Sequence, residues 1–406
     1  MRRTMLLLGW LAVIMVVTVA GAAQPRRRNV LMLAVDDLRG EFGDAFGSPE
    51  VLTPHIDTLA KTSVTFTRTF CQAATCGISR SSLLTSRRPD TTRVLTNGGC
   101  PFRTAPEHAD WISLPRHFKN QGFETMVHPY PCTLPLTLYS CTLTLAGAIP
   151  TQGMGKIFHP GVCDGVAAGE DAKAWSVPYY HAPAPYATDA KFQKRCNCSA
   201  STCPVGGTDC SCSNGSFLDG DCDGGPVHKR SKSFFSNSSS NGADMPDGMV
   251  ESYGIQAIQG YADKYDQLAA ANRSAPPNFF LAIGLHKPHL PHIAPQRFFD
   301  LYTEANISLP DVRTIPEGFP TKMWFACNEA LSYPDWHMDA CGKAGGGYGN
   351  SSCPNFSIDK PMSPALTRKH RLAYFASLSY TDFLIGNIVG ALDSTSLADN
   401  TVVSTY

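Results

Sequence analysis

The sequence predicts an α/β fold, a mostly parallel central sheet flanked by helices. Two observations predict it. The runs Asn29–Val35 and Phe279–Leu285 are continuously apolar, with no polar alternation, as in strands covered on both faces. Segments with helical periodicity and helix-start signals lie between and after them, so strands and helices alternate along the chain. In such sheets ligands bind beyond the carboxyl ends of the strands, which makes the residues directly after each apolar run the first place to look for chemistry.

Taken in order, the elements begin after an amino-terminal leader. Arg2 and Arg3 precede an apolar run from Met5 to Ala20, followed by Gly21, Ala22 and Ala23. This basic, apolar, small-residue order predicts a signal peptide over 1–23. The run is shorter than the ~20 apolar residues that span a bilayer, and no later segment is expected to span one, so no stable membrane span is expected after cleavage. Asn29–Val35 forms the first strand and ends abruptly at Asp36-Asp37. Thr53 as N-cap and Pro54 in the first turn open a helix to about Lys61. Short helices are expected over Ser79–Ser86 and Leu114–Asn120, and a strand over Phe123–Val127. Phe279–Leu285 is the second buried strand. Leu366–Leu392 carries a long helical pattern, broken or tolerant at Gly386 and Gly390, and Thr401–Thr405 starts another strand. Two stretches fit this alternation badly. Residues 127–153 are rich in Pro, Thr, Leu and Cys without a period and read as an insert. Residues 196–242 are dominated by Cys, Ser, Asn, Gly and Asp and read as a long irregular loop.

Composition narrows the function. The 406 residues carry 34 Lys+Arg against 34 Asp+Glu, and charged residues make up only 17%, which argues against a basic nucleic-acid binder. A hydrophobic content of 43% argues against global disorder. Fifteen cysteines and seven Asn-x-Ser/Thr sequons (Asn197, Asn214, Asn237, Asn272, Asn306, Asn350 and Asn355) suit the secretory pathway, with a lysosomal or extracellular destination. The cluster Cys196, Cys198, Cys203, Cys210, Cys212 and Cys222 has Cys-x-Cys rather than Cys-x₂-Cys spacing, so it reads as a disulfide-stapled surface loop in preference to a zinc site.

Four places carry chemistry. Asp36 and Asp37, two like charges at a strand end, need a cation or basic partners, and a hard divalent ion is one solution; a solvated turn is the other. Cys76 precedes a helix start, in a field that favours an anion, with Arg80 one turn on; an ordinary disulfide cysteine is the alternative. Lys156 and His159 are three residues apart and can converge on an anion as fixed charge and proton donor, or sit incidentally in a turn. His286-Lys287-Pro288-His289 follows a buried run directly, so its basic residues are expected to point at the site, with His292 at the surface. Together the four describe an oxyanion pocket suited to sulfuryl or phosphoryl transfer.

On these residues the chain resembles the sulfatases of the alkaline-phosphatase superfamily. The resemblance is carried by NVLMLAVDDLRGEFG (29–43), TPHIDTLAKTSVTFTRTFCQAATCGISRSSLLTSRRPDTTRV (53–94), GKIFHPG (155–161), FFLAIGLHKPHLPH (279–292) and RLAYFASLSYTDFLIG (371–386). RRPDTTR, and GK-x-FHPG followed by HKPH, match the iduronate-type branch. The resemblance implies the following. Asp36 and Asp37 bind a Ca²⁺ ion together with Cys76. Cys76 is oxidised to formylglycine by a formylglycine-generating enzyme, and the hydrated aldehyde attacks sulfur. Arg80 stabilises the formylglycine, while Lys156, His159 and His286 bind sulfate or protonate the leaving alcohol. The substrate is a 2-O-sulfated uronic acid of a glycosaminoglycan-like chain. It also implies that residues 24–406 are an incomplete catalytic domain, because the family continues past the TVVST-like strand to further Ca²⁺ ligands, and that 127–153 interrupts a strand which in the family runs almost directly into GK-x-FHPG. The family's modification signal is Cys-x-Pro-x-Arg, whereas Ile78 stands at the third position here. That change predicts reduced conversion of Cys76, or an inactive homologue that binds sulfated glycans. A phosphoesterase or phosphonate hydrolase of the same superfamily would need Ser or Thr at position 76.

Overall fold

A computed structural model describes residues 28–97, 108, 110–123, 152–159, 174–175, 179–180, 182, 194–197, 228–231, 235–238, 241–273, 278–320, 330, 333 and 360–406. Its centre is a sheet of four parallel strands: β1 (Asn29–Val35), β2 (Gln152–Gly155), β6 (Phe280–Leu285) and β8 (Thr401–Thr405), in the order β2-β6-β1-β8. Val30 pairs with Phe280 and Val35 with Leu285, while Leu33 pairs with Thr405 on the other side. Asn29 aligns the start of the sheet from a buried position. Its Oδ1 accepts from Phe279 N–H at 3.2 Å and from Asn278 Nδ2 at 3.0 Å.

The apolar runs are continuous because both faces of this sheet are covered. Leu31, Leu33, Val35, Leu281, Ile283 and Leu285 join a core with α1 (Pro54–Lys61), α5 (Pro246–Ala270) and α7 (Pro364–Asp393). Met32, Ala34, Phe280 and Ala282 face the opposite way, toward Ile78 and Leu84 of α2 (Cys76–Thr85), with Phe118 of α4 (Leu114–Asn120) packed alongside. Each fully buried Leu or Phe contributes roughly 1.5–3 kcal/mol by leaving water. Two further α-helices among the described residues are short: α3 (Pro89–Thr92), between α2 and α4, and α6 (Gln296–Phe299).

Several expectations shift. Helix α2 starts at Cys76 rather than Ser79, and α7 runs unbroken through Gly386 and Gly390. Gly386 serves packing there, since a Cβ at that position would lie 2.3 Å from the His55 ring. Thr53 is not the side-chain cap of α1; Asp382 on α7 caps it instead, accepting from Ile56 N–H at 2.7 Å and His55 N–H at 3.2 Å. Helix α5, of 25 residues, was not anticipated. Within and beside the stretch read as irregular are β3 (Lys194–Asn197), β4 (His228–Ser231) and β5 (Phe235–Ser238); β3 pairs antiparallel with β4, and β5 pairs parallel with β7 (His292–Pro295). Gln152 and Gly153, the last two residues of 127–153, are in β2 and pair with Leu281 and Ala282. Phe123 is in no strand, and the rest of that expected strand, the 1–23 leader, most of 127–153 and most of the cysteine cluster lie outside the described residues. Helix α7 is long and apolar enough to cross a membrane by length and composition, contrary to expectation. It packs as a core helix, with 67% of its most apolar window buried.

Candidate active site

The sequence-derived residues meet beyond the carboxyl ends of β1, β6 and β2. Strand β1 delivers Asp36, 3% exposed, and the chain then turns through Asp37 in a left-handed conformation (φ +55°). Helix α2 begins at Cys76, and its second residue, Gly77, donates its N–H to Asn97 Oδ1 at 2.8 Å. Arg80, one turn later, projects inward from the same helix face and is 7% exposed. Lys156 arrives because two glycines let the backbones of β2 and β6 close up. Gly155 has φ +69° and a Cβ there would lie 1.9 Å from the Gly284 carbonyl oxygen, while a Cβ on Gly284 would lie 2.3 Å from Lys156. The Lys156 N–H donates to that carbonyl at 2.8 Å, and its side chain turns toward Asp36.

Asp36 is held by two cations. Arg80 Nη2 donates to Oδ1 at 2.8 Å and Lys156 Nζ donates to Oδ2. Arg80 Nη1 also donates to the Lys156 and Ile157 carbonyls, the latter at 2.8 Å. Burial alone would raise the Asp36 pKa, but Lys156 and Arg80, with smaller help from His289 and His286, hold it well below the usual carboxylate range. Cys76 Sγ lies 3.6 Å from Asp37 Oδ1 and 4.0 Å from Lys156 Nζ. Burial pushes this thiol up to about 12; Lys156 opposes the rise and Asp36 and Asp37 add to it. The free thiol is therefore a poor nucleophile at neutral pH. His159 is half-buried, its Nδ1 has no hydrogen-bond partner among the described residues, and burial followed by Lys156 lowers it to about 4. His286 is lowered as well, by burial first and then by Lys156 and Lys287.

Sequence reasoning expects all the basic residues of HKPH to point at the site and gives His289 no role of its own. Lys287 does not reach the site: it is fully buried and its Nζ donates to the His289 and Pro291 carbonyls at 2.8 and 2.5 Å. His292 is not at the surface but 3% exposed. His289 instead faces the carboxylates, with Nε2 at 3.9 Å from Asp36 Oδ2 and 3.7 Å from Asp37 Oδ2. The ring of His286 lies 4.9 Å from it. Behind this turn, buried Asp247 in the first turn of α5 accepts from His286 N–H and Lys287 N–H, both at 2.8 Å. The available signal was the run HKPH directly after a buried strand; which of its side chains face the site depends on Asp247, about forty residues away in sequence.

The residues present fit a divalent cation. Asp36, Asp37, Cys76 and His289 bring four ligand atoms within 4.8 Å of one another. His289 Nδ1 lies 2.6 Å from the Leu290 carbonyl, which accepts from it, so Nε2 is the ring atom turned toward the two carboxylates. Two carboxylates gathered this closely call for positive charge beside them.

A parallel sheet with paired carboxylates, buried cations and histidines around one half-buried cysteine at its carboxyl edge defines an α/β protein equipped to hold an anionic group beside a metal ion. The chain belongs to the sulfatase family, whose family model matches residues 28–139 and 178–406. Residues 140–177, which include Lys156 and His159, fall between the matched stretches. The chain is 30% identical to the iduronate 2-sulfatase of Mus musculus over 98% of this chain and 57% of that protein, and 30% identical to that of Homo sapiens over 93% and 53%. It thus spans a little over half the length of these curated relatives. Among solved structures, the phosphonate monoester hydrolase of Agrobacterium radiobacter superposes with a TM-score of 0.50 over 93% of this chain and 62% of that one, at 17% identity, a likeness of fold.

Proposed function

We propose that this chain carries the catalytic site of a sulfuric-ester hydrolase that acts on 2-O-sulfated uronic acids of glycosaminoglycan-like polysaccharides, with water as acceptor. The observation that carries the reading is the convergence of Asp36, Asp37, Cys76 and His289 on one point, backed by buried Arg80 and Lys156. The iduronate 2-sulfatase relatives support the substrate class. Asp36 and Asp37 would hold Ca²⁺ together with an oxidised Cys76, and the ion would supply fixed positive charge for sulfate oxygens. A formylglycine made from Cys76 by a formylglycine-generating enzyme would supply the oxygen nucleophile that the thiol, at a pKa of about 12, does not.

The remaining roles belong to this chain's side chains. Lys156, close to Cys76 Sγ, offsets negative charge that spreads over the sulfuryl oxygens. Arg80 braces Asp36 and the Lys156–Ile157 backbone, and so fixes where that charge sits. His159 and His286 are neutral at neutral pH through burial; an anionic ester beside them raises their affinity for a proton, as a donor to the leaving alcohol requires. A secretory route to the lysosome or the extracellular space is part of this proposal, and the exposed sequon residues Asn272 and Asn306 support it.

Peptide mass spectrometry tests the reading on chain co-expressed with a formylglycine-generating enzyme. Cys76 is expected to appear partly as formylglycine, and turnover of 4-methylumbelliferyl iduronide 2-sulfate is expected to vanish in Cys76→Ala. A second reading, a sulfated-glycan binder without turnover, is favoured by Ile78. This side chain is 8% exposed and packs in the cluster with Met32, Leu84 and Ile157. Its backbone N–H lies in the first turn of α2, where proline is tolerated. Ile78→Pro is therefore expected to fold, to lose roughly 1–2 kcal/mol of packing, and to raise the formylglycine fraction severalfold. A thiol in every molecule of both forms, with glycan binding intact, would favour the binder.

A further inference from the structure

The two carboxylates at the end of β1 are fixed by different means. Asp36 is locked through its side chain by Arg80 and Lys156. The Asp37 carboxylate is 49% exposed, with His289 Nε2 at 3.7 Å from its Oδ2. What holds Asp37 is its backbone. The hydroxyl of Tyr374, on α7, donates to the Asp37 carbonyl at 2.9 Å, and the same oxygen accepts from Arg39 N–H at 2.9 Å. One phenol oxygen thus closes both ends of the Asp37-Leu38-Arg39 turn. The turn gains from closing, because Asp37 sits at φ +55°, a left-handed conformation uncommon outside glycine although Asp adopts it more readily than most residues. Tyr374 is well placed to impose it. It sits between buried Ala373 and Phe375 on a 30-residue helix, with its ring edge-on to His292 at 5.8 Å.

We propose that Tyr374 is a positioning residue for the cation site: by clamping the Asp37–Arg39 backbone it sets the Asp37 carboxylate within reach of Asp36, Cys76 and His289. This rests on the cation reading above. Tyr302 provides a control, since its oxygen accepts from Leu52 N–H at 2.9 Å and bonds Ser379 Oγ on the same helix α7 without touching the cluster.

Calorimetric titration of CaCl₂ into the chelator-treated full chain, as wild type, Tyr374→Phe and Tyr302→Phe, tests it. The expected result is a roughly tenfold weaker Ca²⁺ affinity in Tyr374→Phe alone, the effect of one lost hydrogen bond, with little change in the ion-free unfolding midpoint. Equal affinity in wild type and Tyr374→Phe overturns the proposal, and so does an equal loss in Tyr302→Phe, which would mark general loosening of α7. A wild type that takes up no Ca²⁺ overturns the cation reading and this proposal with it, a result distinct from any difference between variants. Amide hydrogen exchange in chelator gives a second reading that needs no ion. The Arg39 amide is expected to exchange faster in Tyr374→Phe, and unchanged exchange there overturns the clamp.

Discussion

The turns that follow β1 and β6 lie side by side at the carboxyl edge of one sheet, yet they are held in opposite ways. After β1, a buried carboxylate is fixed by two buried cations, and the next residue stays half exposed under a phenol hydroxyl. After β6, a buried carboxylate, Asp247, fixes backbone N–H groups, and the nearby lysine is spent on carbonyls. The first arrangement aims charged side chains at a common point. The second aims a backbone, so that His286 and His289 project where the fold needs them. Ion pairs hold the first turn and hydrogen-bonded peptide groups hold the second, while buried Lys156 and Lys287 both help burial to lower the pKa of His286.

That contrast can be broken by substitution. The largest effect is expected from Asp36→Ala, which leaves Arg80 and Lys156 buried without their counter-charge. Such an uncompensated pair destabilises by roughly 3–5 kcal/mol, read from denaturant midpoints, and a loss below about 1 kcal/mol would mean that charge does not hold the first turn. Asp247→Ala orphans two N–H groups in a buried turn and is expected to remove roughly 2–3 kcal/mol. Asp247→Asn keeps one acceptor oxygen and should recover part of it; if Asn is no better than Ala, hydrogen bonding to the backbone is not what fixes the second turn. The smallest effect comes from a carboxylate away from both turns. Glu50 accepts from Ser308 Oγ at 2.8 Å, from Ser308 N–H at 3.2 Å and from Arg371. Burial would raise its pKa, but these partners lower it overall. A lowered folded-state pKa contributes stability above the unfolded value of 4.5 and loses it as pH falls through the folded value. Glu50→Gln is therefore expected to cost about 0.5 kcal/mol at neutral pH and nothing at the acid end of that window, measured by melting at the two pH values. A difference that persists in acid would assign the effect to packing.

Different parts of this site were legible to different degrees. Asp36-Asp37 stood out because two charges directly after a continuous apolar run can only mark a strand end, and Cys76 and Arg80 stood out because four residues make one helical turn. Lys156 was a weak signal, since its position depends on Gly155 and Gly284 meeting across more than a hundred residues. The HKPH run was found, but its inward and outward residues were not sorted; that choice follows from Asp247. Helix α5 left a readable trace, Pro246 at its start with Val250, Ala257, Ile258 and Tyr261 at helical spacing, which lay hidden against the low-complexity stretch before it. Tyr374 left none, since a tyrosine on a core helix has no sequence mark of what its hydroxyl touches.

The sequence by itself determined the parallel sheet covered on both faces, the strand ends that carry chemistry and the cysteine at a helix start. These follow from local hydrophobic period and from where charge interrupts it, which near neighbours in the chain decide. Tertiary structure alone decided that His289 rather than Lys287 meets the carboxylates, that Asp382 rather than Thr53 caps α1, and that Tyr374 closes the Asp37 turn. The last two are hydrogen bonds between groups far apart in sequence, and the first follows from the Asp247 bonds to the His286 and Lys287 backbone; such partners are selected only once the helices have packed and buried polar groups must find the donors and acceptors within reach.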